Sequence, residues 1–351
     1  MAKKKRLTRI LSIDGGGIRG IIPGTILKYV EVKLQEFSGN KKARIADYFD
    51  LIAGTSTGGI LGCCYLLKNK TNDNPKYTAQ QIVNLYLNHG KDIFHRTVFQ
   101  RLSSGDGLLD EKYSKKELQK VLKKYFGDAN LSELLKPTLI TAYEIEKRKA
   151  HFFTQHNASE SGNDFLVRDV AEATASAPTY FECARIKDDL NRDYTLVDGG
   201  LFANNPTLCA YAEARKLFKK DDDSNGSITA SDMLILSLGT GNSKKIYPYD
   251  KAKDWGMARW VKPVIEIMMS GVSETVDYQV RQIYDAICCP DQYLRIEAPL
   301  LKPADSEMDN ASKKNLRALK NHGEAMTETY KLELDEFVRK LIDSEKPELL
   351  A

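Results

Sequence analysis

Tyr48-Phe49-Asp50-Leu51-Ile52-Ala53-Gly54-Thr55-Ser56-Thr57-Gly58-Gly59-Ile60 changes character twice in a short space. Tyr48 to Ala53 is apolar and β-prone, as a buried strand would be, and Ile60 to Leu67 is small and apolar, as a helix packed on a sheet would be. Between them lies Gly-x-Ser-x-Gly, which in a strand-turn-helix setting lifts a serine onto a sharp turn. Gly54 and Gly58 support that turn by removing side chains that would collide in it. The helix N-terminus behind it favours negative charge developing beside the serine. Ser56 therefore reads as a nucleophile. A serine hydroxyl is a poor nucleophile at neutral pH, so a base must lie within hydrogen-bond reach.

On the N-terminal side, the apolar run Thr8 to Ile13 leads straight into Asp14-Gly15-Gly16-Gly17-Ile18-Arg19-Gly20. Pro23 then suits the first turn of a helix carrying Ile26, Leu27, Val30 and Leu34. Gly15, Gly17 and Gly20 spell the dinucleotide spacing, but that site wants an acid about 20 residues on at the end of a second strand. Glu31 and Glu36 fall within the helix instead. Consecutive glycines also let backbone N–H groups converge on a substrate oxygen, so Gly15, Gly16, Gly17 and the amide of Thr57 form a candidate oxyanion hole. Arg19 either holds a phosphate or supports the loop through carbonyls. A nucleotide-binding module built on Gly15–Gly20 is the alternative from a different functional class.

On the C-terminal side, Thr138 to Ile145, His151 to Thr154, Met233 to Leu238 and Tyr293 to Ile296 are further β-rich runs. Several are apolar on both faces, which predicts buried parallel strands. Helical patterns alternate with them, including Leu118, Val121, Leu122 and Tyr125 behind the capping box Ser114/Glu117. A last pattern through Leu316, Leu319, Tyr330, Leu334, Phe337 and Leu341 predicts helices packed on the sheet edge. The class is α/β. The expected organisation is a basic tail over 1–7, one catalytic domain over 8–300 and a helical extension over 301–351 packed on it.

Composition sets the bounds. With 351 residues, 42% hydrophobic and 28% charged, the chain buries a sizeable core. Lysines and arginines number 52 against 48 acids, and this scattered balance argues against a nucleic-acid polymer as partner. No apolar run approaches the roughly 18 residues of a membrane span. The apolar stretch behind the basic cluster Lys3-Lys4-Lys5-Arg6 is too short for an export signal. Cysteines 63, 64, 183, 209, 288 and 289 suggest neither zinc nor disulfides, and a reducing cytoplasm fits them. Asp221, Asp223, Asn225, Gly226 and Asp232 approximate a calcium loop. It lacks the glutamate at its last position and leads into a strand-like run, so no metal is assigned.

Leu196-Val197-Asp198-Gly199-Gly200-Leu201-Phe202-Ala203-Asn204-Asn205-Pro206 places an acid at a strand end. Together, D-G-G-G-x-R-G, G-T-S-T-G-G, the A-T-A-S-A-P-T-Y-F of Ala173 to Phe181, and D-G-G with F-A-N-N-P resemble the patatin-like phospholipases, in family order over about residues 8 to 240. The resemblance implies a three-layer α/β/α fold with a mostly parallel central sheet and a Ser56/Asp198 dyad that needs no histidine. It also implies Gly15–Gly17 as oxyanion hole, Gly199 as support, no metal or cofactor, and a membrane phospholipid substrate met peripherally at the inner face of the membrane. An ordinary α/β-hydrolase triad would need His322, the only histidine after Asp198.

The opening Arg9 to Gly24 is similar to bacterial patatin effectors of CBASS-type antiphage systems, which are switched on by cyclic dinucleotides. That likeness implies a cyclic dinucleotide activator, bound on the catalytic domain or at a homo-oligomer interface. For Trp255 to Met269, apolar at mostly helical spacing with Lys253, Arg259 and Lys262 nearby, a membrane surface, a lid, a dimer contact and a core helix are all open.

Overall fold

The centre of the molecule is β1 (Thr8–Ile13), because both its edges and both its faces are covered. The computed structural model describes residues 6–93, 113–219, 226–242, 246–297 and 299–344. β1 pairs in parallel with β2 (Leu51–Thr55) on one side and β7 (Met233–Leu238) on the other. β3 (Thr138–Glu144) lies beyond β2 and β8 (Tyr293–Ile296) beyond β7, again parallel. β4 (Lys149–Thr154), β5 (Ala184–Lys187) and β6 (Asp193–Asp198) complete the sheet in antiparallel pairings, in the order β5-β6-β3-β2-β1-β7-β8 with β4 also on β3.

Register explains where the site sits. Ile13 lies opposite Gly54 on one side and Leu238 on the other, so the loops after β1, β2 and β7 leave the sheet at one level. Thr55 pairs with Thr141, and Ala142 with Asp198, which brings the end of β6 to the same edge. Alternate residues of the strands face two cores. Leu11, Ile13, Ile52 and Ile140 meet the helices Ile21–Ser38 and Thr57–Leu66 on one face. Ile10, Leu51, Leu139 and Ile235 meet Thr207–Leu217 and the end of the long helix Met257–Ala286 on the other. The fold is thus the expected α/β layering around a mostly parallel sheet.

Four local readings are corrected. Ile45–Tyr48 is a helical turn and the strand begins at Leu51, because Arg44 and Asp47 cap that turn and Asp50 is held by Arg9. β4 is antiparallel and exposed over its first half, so His151 to Thr154 is not a buried parallel strand. Ser114 does cap its helix, but Glu117 turns to Lys120 instead of closing a box. The last helices, Lys313–Thr329 and Lys331–Asp343, pack chiefly on the helix Ile21–Ser38 and not on a sheet edge. Gly323 makes that close crossing possible, since a Cβ there would lie 2.9 Å from Thr25.

No helix among the described residues is long and apolar enough to cross a membrane. The acidic stretch Asp221 to Asn225 lies outside the described residues; Asp232, beyond it, accepts the Thr229 N–H in a helical turn.

Candidate active site

β2 ends at Thr55 and the helix starts at Thr57, so Ser56 alone makes the turn. Its φ of 54° and ψ of −122° lie in a region that side chains avoid. Local bonds hold it there. The Ser56 N–H donates to Thr174 Oγ1 at 2.8 Å, and Thr174 Oγ1 donates to the Thr141 carbonyl at 2.7 Å. Thr55 Oγ1 lies 2.7 Å from Thr141 Oγ1 and donates to the Ala203 carbonyl at 2.6 Å, tying the turn to the segment after β6. Gly54 and Gly58 are packed against each other: a Cβ on Gly54 would lie 2.3 Å from the Gly58 carbonyl oxygen, and one on Gly58 2.1 Å from that of Ile13. Gly199 is as confined, 2.1 Å from Thr141 Oγ1.

Asp198 closes β6 and is 4% exposed. Burial pushes its carboxyl up to about 6, against hydrogen bonds from the Ser56 hydroxyl and the Gly200 N–H that pull it down. The Gly200 N–H reaches Oδ1 at 2.7 Å. Desolvation makes this carboxylate more basic than a surface one while leaving it ionised at neutral pH.

The glycine loop runs beside Ser56. Gly15 does not fit the expected donor role: its N–H donates to the Asn204 carbonyl at 3.1 Å. Among the described residues no acceptor takes the N–H of Gly16, Gly17 or Thr57, and these three line the cleft with Ser56 and Asp198. Arg19 supports the loop, bonding the carbonyls of Gly16 at 3.4 Å and Gly241 at 3.2 Å. The cleft itself is narrow, about 70 Å³, with apolar walls that include Ile18, Ile60, Phe181, Ile265 and Met269.

His322 is not brought to this site. It lies within the helix Lys313–Thr329, buried, with Nε2 lacking a partner, and is absent from the cleft wall. Sequence reasoning missed Thr141 and had Thr174 only as a member of the A-T-A-S-A-P-T-Y-F motif, because the role of both depends on contacts between distant parts of the chain. It also missed Ile265 and Met269, whose segment was read without knowing what it covers.

Three features define the site: a strained serine elbow, a buried acid, and the amides of Gly16, Gly17 and Thr57 lining the cleft. The family model described as patatin-like phospholipase matches residues 11–211. "Probable inactive patatin-3-Kuras 1" of Solanum tuberosum is 34% identical over 97% of this chain and 94% of its own length. "Patatin-like protein 3" of Arabidopsis thaliana is 34% identical over 92% and 81%, and "Patatin group J-1" of Solanum tuberosum 34% over 98% and 92%. The chain belongs to the patatin-like phospholipases, a family of lipid acyl hydrolases.

Proposed function

We propose that Ser56 and Asp198 are the catalytic dyad of a phospholipid acyl hydrolase. The observation that carries this reading is the strained Ser56 turn and the buried Asp198 carboxyl lining one narrow apolar cleft. Asp198 takes the hydroxyl proton as Ser56 Oγ adds to the acyl carbonyl. The Gly16, Gly17 and Thr57 N–H groups hold the oxyanion, each worth about 3 kcal/mol in the transition state. The tetrahedral adduct collapses, the lyso-lipid alcohol leaves with the proton from Asp198, and the acyl group stays on Ser56. Water then gives a proton to Asp198, adds to the acyl-enzyme and releases the fatty acid, with the proton returning to Ser56 Oγ.

The substrate is met at a membrane surface. Met257, Trp260, Val261, Val264, Ile267 and Met268 are exposed on the helix whose Ile265 and Met269 line the cleft. Arg259 beside them supplies positive charge. Such a face partitions into the interface of anionic or neutral lipid. Activation by a cyclic dinucleotide in antiphage defence, at the inner face of the membrane, is the finer part of the reading. It rests on the likeness of Arg9 to Gly24 alone, and its site would be on this domain or between copies of the chain.

Fatty-acid release from phospholipid vesicles tests both parts. Wild type should release fatty acid, and Ser56→Ala and Asp198→Asn, correctly folded, should lose about 10³-fold or more. A folded, active Ser56→Ala sinks the dyad, and an inactive but folded His322→Ala returns the triad. Release that needs an added cyclic dinucleotide supports the activator; equal release without one removes it.

A further inference from the structure

The long helix Met257–Ala286 is divided: its second half buries Val280 and Tyr284 in the core, while its first half leaves apolar residues uncovered. Glu266, Ser270, Ser273, Glu274 and Asp277 recur at helical spacing on the face turned to the body of the protein. Over its first half Trp260, Val261, Val264 and Met268 are exposed, while Ile267 and Met269 line the same cavity as the polar residues. Packing alone gives the opposite arrangement. The polar face does not meet a core; it walls a cavity of about 280 Å³ that adjoins the cleft through Tyr180, Met269 and Met308. That volume is near the lower end of small-molecule sites, roughly 300–1,000 Å³.

The cavity carries two kinds of uncommitted charge. Arg295 is spoken for: its guanidinium bonds both oxygens of Asp14, at 2.7 and 2.6 Å, and Glu297 at 2.7 Å. Arg19 is 9% exposed and lines the same cavity, where Glu297 is the first of the carboxylates whose charge acts on it. Its bonds go to two loop carbonyls only. A buried guanidinium so placed suits a phosphate oxygen. On the helix side Glu274 has no cationic partner among the described residues, only the Asn242 amide at 3.4 Å. The Tyr247 ring lines the cavity as well, with Trp255 edge-on at 5.4 Å. A carboxylate and an aromatic face suit an ammonium group. Asn204, 7% exposed, lines the wall next to Gly15, and its Oδ1 has no hydrogen-bond partner.

We propose that this cavity holds the head group of the phospholipid whose acyl ester lies at Ser56, and that it selects a zwitterionic phosphate–ammonium head group over an anionic one. Arg19 takes the phosphate, and Glu274 and Tyr247 take the ammonium. A head group with phosphate alone would meet Arg19 and Arg295 among the carboxylates Asp14, Glu266, Glu274, Asp277, Glu297 and Glu307. The assignment rests on the Ser56/Asp198 reading above.

The test measures kcat/KM on lipids of equal acyl chains, dilute in neutral detergent micelles, with choline, ethanolamine or glycerol on the phosphate. The two zwitterionic lipids should exceed the phosphatidylglycerol by about tenfold, and Glu274→Lys should reduce that ratio by about tenfold. Equal rates on all three, or a ratio untouched in the folded Glu274→Lys protein, overturn the subsite. Ser56-dependent hydrolysis of p-nitrophenyl octanoate, which has no head group, separates the two claims. If it persists while head groups make no difference, the dyad stands and the subsite falls; if it is absent, the dyad falls and takes the subsite with it. Free phosphocholine separates a lipid-borne group from a soluble one. Weak inhibition or none fits the subsite, and stimulation would make the cavity an effector site and overturn it.

Discussion

The two walls of the cleft are built on opposite principles. The wall made by β1, β2 and their loops is nearly without free volume. Gly54, Gly58 and Gly199 leave no room for a methyl group, and Thr55, Thr141 and Thr174 bond the strained serine in place. The other wall is the helix Met257–Ala286, with apolar side chains toward solvent and polar ones toward a cavity. The first wall is held by contacts within the protein; the second leaves Met257, Trp260, Val264 and Met268 exposed. Chemistry that must be placed to a fraction of an ångström calls for the former, and under the proposed function the latter is the side that meets lipid.

The largest effect that would break this contrast is expected at Gly58. In Gly58→Ala the new Cβ would lie 2.1 Å from the Ile13 carbonyl oxygen, and the backbone must shift. A rate loss of about 100-fold is expected from the displaced serine. Stability should fall by about 3 kcal/mol, read from urea midpoints. A normal rate would mean that the tight wall does not position Ser56.

The next effect concerns the cost of the buried acid. Asp198 ionises near 6 in the folded protein against an ordinary value of 3.8. Above about pH 6 both states are ionised and the folded one bears the desolvation; as pH falls from 6 to 4 the folded carboxyl takes up its proton first and that cost disappears. Asp198→Asn should therefore stabilise the protein at pH 8 by up to about 3 kcal/mol, with the gain vanishing below pH 4. Urea titrations at both pH values check this, and destabilisation at pH 8 would show that the carboxylate is compensated by its surroundings.

The smallest effect sharpens the other side of the comparison. Met257 is 90% exposed, so Met257→Ser should leave the melting temperature unchanged. Vesicle affinity should fall about tenfold, the worth of one apolar side chain leaving lipid. Unchanged vesicle affinity would assign that face to another occupant.

The same contrast decides what was legible in the sequence. Glycine and serine spacings encode the tight wall, so Ser56 and the glycine loops could be read from residue types, whereas Asp198 stood out only through the family resemblance that its D-G-G completes. Met233–Leu238 was equally readable, because a nearly continuous apolar run admits little else, and Tyr293–Ile296 was readable from its Tyr, Leu and Ile despite Arg295. Ala184–Lys187 was not, being four residues of ordinary polarity paired at a sheet edge. Gly15 was read as an amide donor because a sequence does not say where an N–H points. For Trp255 to Met269 the periodicity was visible, but which face is covered depends on elements far away in the chain.

The most direct measurement is the rate and position of labelling by a fluorophosphonate, followed from pH 4.5 to 8 in wild type and Asp198→Asn. The dyad predicts one adduct, on Ser56, with a rate that rises through about pH 6 in wild type as Asp198 ionises and is nearly lost in Asp198→Asn. An adduct on another residue, or labelling of Ser56 at an undiminished rate in Asp198→Asn, would contradict it.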